Sequence, residues 1–188
     1  MAKTAPFWIA AGLAALALAG PAAATQLIYS YDSASPITLK MTENGVTFVL
    51  DKSLMRVKVL KILETEDVGA ADLKPAPESD LGRGGLNAVL GPGAHERDLY
   101  EILPKDDGKA LGRALCRGSD RTWLAFGLIK QGRDLKVRAI GRDAATGKTK
   151  LCLTLDYAFH GEWSLPPSQL PQPDRSDPFN DAPANRRF

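Results

Sequence analysis

The chain has 188 residues, with 24 Lys and Arg against 22 Asp and Glu, and only two cysteines. So even a balance excludes the strongly basic composition of a protein built chiefly to hold nucleic acid. Removing the first 24 residues, which contain one base (Lys3) and no acid, leaves 164 residues with a net charge of +1, a length that fits one domain.

Residues 1–24 read as a cleavable secretory signal. A short positive start at Lys3 precedes an apolar run from Phe7 to Ala19. Pro21 breaks that run, and Ala22-Ala23-Ala24 offers the small side chains a signal peptidase accepts. A retained anchor would need about 20 strongly apolar residues, whereas this stretch is rich in Ala and interrupted by Gly20-Pro21. The expected mature protein starts at Thr25, is not transmembrane, and is extracytoplasmic: periplasmic in a Gram-negative source, otherwise secreted. No Cys lies near the cleavage point to carry a lipid.

Residues 25–165 are expected to form one β-rich domain. Leu27-Ile28-Tyr29 and the alternating Ile37, Leu39 and Met41 read as short strands separated by Pro36. Asn44-Gly45 is a hairpin signal, and Val46, Phe48 and Leu50 alternate after it. Residues 54–63 read as a further strand. Residues 64–108 hold 11 acids and 4 bases. Within them an acidic, Gly/Pro-rich loop is expected around 64–93, followed by a short helix over 94–103. Gly82–Gly93 lacks the Gly-Lys-Ser/Thr ending of a phosphate-binding loop.

Lys109–Cys116 is a second helix candidate, with Leu111, Ala114 and Leu115 on one side. Thr122–Lys130 is apolar on both faces, as in a central strand. Turn signals at Gln131-Gly132-Arg133 and Thr146-Gly147-Lys148 bracket a strand on which Leu135, Val137 and Ala139 alternate with Lys136 and Arg138. Leu151 to Phe159 alternates again, which completes a three-stranded antiparallel meander. The segment 166–188 has six prolines and few large apolar residues, and is expected to be a disordered tail. Its terminal Phe188 lacks the alternating aromatic strand that ends an outer-membrane barrel. The fold class expected is therefore mainly β, an antiparallel meander in a small sandwich or partly open barrel, with one or two short helices.

Cys116 and Cys152 are expected to pair, since an exported chain matures in an oxidising compartment. The bridge would close a loop of 36 positions, stabilising the fold by about 3–4 kcal/mol in the chain-entropy model. Catalytic signals are sparse: two histidines, His95 and His160, and no G-x-S-x-G. Asp156, His160 and Glu162 share strand parity and are weak candidates for a metal site. Strand neighbours two apart are roughly 7 Å apart, so one ion would need a bend, which Gly161 could supply. Parity places Trp163 with Tyr157 and Phe159 on the leucine face, as core rather than as a sugar-stacking platform. No cofactor is expected.

Charge segregation is the feature folding explains least. Residues 109–150 hold 11 bases and 3 acids, against the acidic excess of 64–108. Lys136, Arg138 and Arg142 share one parity and form a candidate face for an anionic ligand. Alternatively, the acidic segment folds over that face and neutralises it. The function expected is a non-enzymatic binding or inhibitor-like module of the cell envelope, its partner an anionic envelope component or another envelope protein. The alternatives are a hydrolase or metal-dependent enzyme using Asp156, His160 and Glu162, or a subunit of an envelope assembly.

Overall fold

A computed structural model of the chain describes residues 25–52, 57–64 and 70–164. The expected signal and the expected tail from 166 lie outside these residues. Eight antiparallel strands run in sequence order: β1 (Thr25–Ser33), β2 (Gly45–Lys52), β3 (Val57–Glu64), β4 (Ala70–Pro75), β5 (Asp98–Ile102), β6 (Ser119–Phe126), β7 (Leu135–Asp143) and β8 (Thr149–Ser164). Each pairs with the next, and β8 returns to β1 (Leu27 opposite Ser164, Ser33 opposite Tyr157), so the sheet closes into a barrel. Mainly β with short helices is what the chain forms, and closure removes the free edges an open barrel would leave.

An eight-stranded barrel is just wide enough for side chains to fill. Here they do so with aromatic rings. Tyr31 meets Phe48, Tyr157 and Phe159 edge to face, at centroid distances of 5.9, 6.4 and 5.6 Å. Phe126 meets Phe48 at 5.4 Å and Tyr100 at 5.5 Å. Such contacts add about 0.5–1.5 kcal/mol each beyond area burial. The Tyr100 hydroxyl accepts the Val59 amide, which satisfies both groups inside the core. Apolar side chains thus face inward, the inverse of a membrane-spanning barrel, whose apolar band faces out.

Among the described residues three α-helices connect the strands: α1 (Pro36–Thr42), α2 (Gly85–Leu90) and α3 (Gly108–Leu115). The expected strand at Ile37–Met41 is therefore α1. Ser35 caps it, its hydroxyl accepting the Thr38 amide at 3.2 Å, and Pro36 occupies the first turn. Thr38 and Thr42, one turn apart, are its buried side. The expected helix over 94–103 is instead strand β5, on which Tyr100 and Ile102 face the barrel core while Leu99 packs on the outer side. The expected helix at 109–116 is α3, whose Leu111 and Leu115 join the barrel core.

Two irregularities in β8 decide where its side chains go. Ala139 faces Leu153 while Ile140 faces Leu151, so Cys152 is the extra residue of a bulge. The bulge serves the Cys116–Cys152 disulfide, which ties the end of α3 to β8 across a Cα–Cα distance of 5.4 Å. Gly141 makes room for it: a Cβ there would lie 2.8 Å from the Cys116 sulfur. Farther along, Tyr31 faces Phe159 while Ser30 faces Gly161, so His160 is unpaired and the parity of β8 reverses. Trp163 therefore does not join the leucine face. It is 54% exposed on the outer surface, its indole N–H donating to Ser30 Oγ at 3.2 Å.

Candidate functional site

The acidic Gly/Pro-rich region around 64–93 is not wholly loop. It contributes the end of β3 and the whole of β4, then leads into a strap, residues 76–97, that crosses the outer face of β5, β6 and β7. The strap opens with a 3-10 turn over Glu78–Leu81 and continues through α2. Leu81 and Leu86 bury Leu99, Trp123, Ala125 and Ile140 in a second apolar cluster outside the barrel. The glycines let a carboxylate cap α2. Gly84 and Gly85 have φ of 87° and 53°, and a Cβ on Gly85 would sit 3.1 Å from Glu78 Cβ. Glu78 Oε2 accepts the Leu86 amide at 3.2 Å.

The strap and its flanks meet the basic strands charge for charge. Arg121 lies over the Trp123 ring at 4.7 Å. It donates to both oxygens of Glu101 at 2.7 Å and to Asp80 at 2.9 Å. Hydrogen bonding to Glu101 first, and then to Asp80, holds its guanidinium well above the usual arginine range. Arg138 Nε donates to Glu96 Oε1 at 2.6 Å, and the Glu96 side chain is only 3% exposed. Arg142 Nε donates to Asp120 Oδ1 at 3.0 Å, and this bond lowers the Asp120 carboxyl below the usual range. Lys136 lies 3.5 Å from Asp156. Each member of the candidate anionic-ligand face thus has a carboxylate partner within the chain.

Asp156, His160 and Glu162 go to three different partners. Asp156 faces Lys136. His160 Nδ1 lies 3.0 Å from Asp32 Oδ2. Glu162, beyond the parity reversal, accepts the Tyr29 hydroxyl and helps burial raise that phenol's pKa. Among the described residues no group of three or more His, Cys, Asp and Glu is placed to hold a metal ion.

A different part of the surface stands out. Among the described residues, the large apolar side chains left exposed are Ile37, Leu39, Leu128, Leu151 and Trp163. Ile37, Leu39 and Leu151 belong to one end of the barrel, where α1, α3 and the start of β8 meet. A depression of about 470 Å³ lies there, lined by Met41, Leu115, Arg117, Leu151 and Leu153 around the disulfide. Lys40 and Arg117 at this end have no ion-pair partner among the described residues, and Lys150 is 4.0 Å from Asp143. Sequence reasoning missed this site because it read α1 as a strand. The Ser35-Pro36 helix-start signal was the clue available.

No family model, no curated protein and no solved structure matches the chain. Among the described residues no helix is long and apolar enough to cross a membrane. The disulfide is compatible with an oxidising, extracytoplasmic compartment.

Proposed function

We propose that the protein is a non-enzymatic binding module of an extracytoplasmic compartment, periplasmic in a Gram-negative source and otherwise secreted, that works through its outer surface. The observation that carries this reading is the filled barrel. Interlocked rings occupy the interior where a ligand-holding barrel keeps a cavity. The ionisable groups that could have formed a catalytic cluster are drawn into separate pairs across the sheet. What remains for a partner is surface, and the bases Lys40 and Arg117, which have no ion-pair partner among the described residues, are in keeping with an anionic envelope component.

Co-sedimentation tests the proposal. The exported protein should be retained by isolated envelope material of its source cells, and retention should weaken as salt rises, because exposed charges are screened beyond roughly 8 Å at physiological ionic strength. No retention at any salt concentration would overturn the reading. So would metal-dependent hydrolysis abolished by His160→Ala.

A further inference from the structure

We infer that the α1–α3–β8 end of the barrel is a docking surface for an anionic lipid bilayer. The inference rests on the proposed surface-binding role and names the surface and its partner. It starts from α1. Thr38 and Thr42 turn inward, so at about 100° per residue Lys40 points away from the barrel, with Ile37 and Met41 on one flank and Leu39 on the other. Ile37 is 53% exposed and Leu39 57%. Such side chains on a short connecting helix carry an unfavourable hydration cost, of about 25 cal/mol per Å² of apolar surface, until something covers them.

Three bases stand around them, and the Asp156 carboxylate beside α1 is turned to Lys136. Lys40 stands on α1, Arg117 follows α3, and Lys150 opens β8 beside Leu151. Two of the nearby acids are already engaged within the chain. Asp143 turns one oxygen to the amides of Ala145 and Thr146 and the other toward Lys150. Asp120 is bound to Arg142. Glu43, the C-cap of α1, is an exposed acid at this end and stands three residues after Lys40. The long stems of Lys and Arg can lie along apolar surface with their charged heads at the headgroup level, the arrangement of an interfacial anchor. The apolar side chains sit on opposite flanks of α1, separated by a lysine. A fluid interface accommodates that pattern better than a shaped protein groove, which would gather them on one stripe.

The disulfide fixes the surface. It holds the end of α3 against β8 beside the depression, so Arg117, Lys150 and Leu151 keep their relation to α1. Ordering them before contact lowers the entropy lost on binding.

Flotation with vesicles decides the question. The probes are phosphatidylglycerol:phosphatidylcholine vesicles and pure phosphatidylcholine vesicles, with the exported protein. Binding to the anionic vesicles alone, weakening as salt rises, is expected. Arg117→Glu with Lys150→Glu should reduce it by roughly tenfold or more, since each base near an anionic leaflet contributes on that scale. Ile37→Ser with Leu39→Ser should reduce it severalfold. Both pairs should leave the melting temperature within a few degrees of wild type, which separates lost docking from lost folding. Lys136→Glu, on the sheet face, should change nothing. Equal binding to both vesicle types, or anionic binding indifferent to both double substitutions, would overturn the inference. Retention by envelope material without anionic vesicle binding would overturn the lipid assignment while leaving the surface-binding role intact. Loss of both would remove both.

Discussion

The β5–β7 face and the α1–β8 end are built from the same materials, arginines and lysines set among leucines and other large apolar side chains, and use them in opposite ways. On the face, Trp123 and Ile140 are fully buried under Leu81 and Leu86, and Arg121 and Arg138 are met by Asp80, Glu101 and Glu96. At the end, Ile37 and Leu39 are exposed and Arg117 has no carboxylate among the described residues. The first surface has its partner in the same chain, while the second is the one for which an outside partner is proposed. Composition alone cannot separate the two cases. What separates them is whether a segment of complementary charge is long enough, and close enough in sequence, to fold back.

The largest expected effect breaks the covered face. Trp123→Ala should lower stability by about 3–5 kcal/mol in chemical denaturation, because it empties the centre of the outer cluster. Leu39→Ser at the open end should change stability by no more than about 0.5 kcal/mol. Cys152→Ser follows, at about 3–4 kcal/mol in the chain-entropy model, since the bridge spans 36 positions. Arg138→Ala should cost about 2–3 kcal/mol, discounted for the partial exposure of Arg138, because Glu96 would be left buried without its counter-ion. Arg117→Ala should cost little by the same assay.

Smaller effects come from pH. Burial raises the pKa of Tyr29, Tyr31 and Tyr100 above the ordinary 10.0. Their contribution is full below pH 10 and is lost as pH rises beyond it, because unfolded tyrosines ionise first. Thermal melts should therefore show falling stability above pH 10. The carboxyls of Asp120 and Asp143 are lowered, by Arg142 and by the Thr146 amide respectively. Their contribution is present above the ordinary carboxylate value and fades as pH drops through the folded one. Arg142→Ala should flatten the Asp120 part of that acid limb. Smallest of all is a fluorescence effect: iodide should quench Trp163, which is 54% exposed, and spare Trp123 under the strap.

Much of the β6–β7–β8 meander was legible because apolar residues alternate between clear turn signals, and the disulfide was legible because the chain has two cysteines and one compartment to explain them. The charge segregation between 64–108 and 109–150 was legible too, but not its resolution, which depends on α2 lying across Trp123. Alternation misled at Ile37–Met41, where the Ser35 cap and the buried Thr38–Thr42 pair outweigh it. Helical spacing misled at Leu99 and Ile102, which pack on opposite sides of β5. Strand parity failed beyond His160 because a bulge is a backbone event, set by how β8 meets β1 some 130 residues away, and no local pattern announces it. Barrel closure depends on that same distant pairing.

The cations of β6 and β7 are paired within the fold, while those at the α1–β8 end are proposed to meet a partner. The most direct test of that division is one paired measurement, melting temperature and retention by envelope material, on two double variants. Arg138→Glu with Arg142→Glu should lower the melting temperature by several degrees or more and leave retention of the folded protein unchanged. Arg117→Glu with Lys150→Glu should reduce retention by roughly tenfold or more at a melting temperature within a few degrees of wild type. The reverse pattern, with retention lost on reversing Arg138 and Arg142 at full stability, would contradict the account.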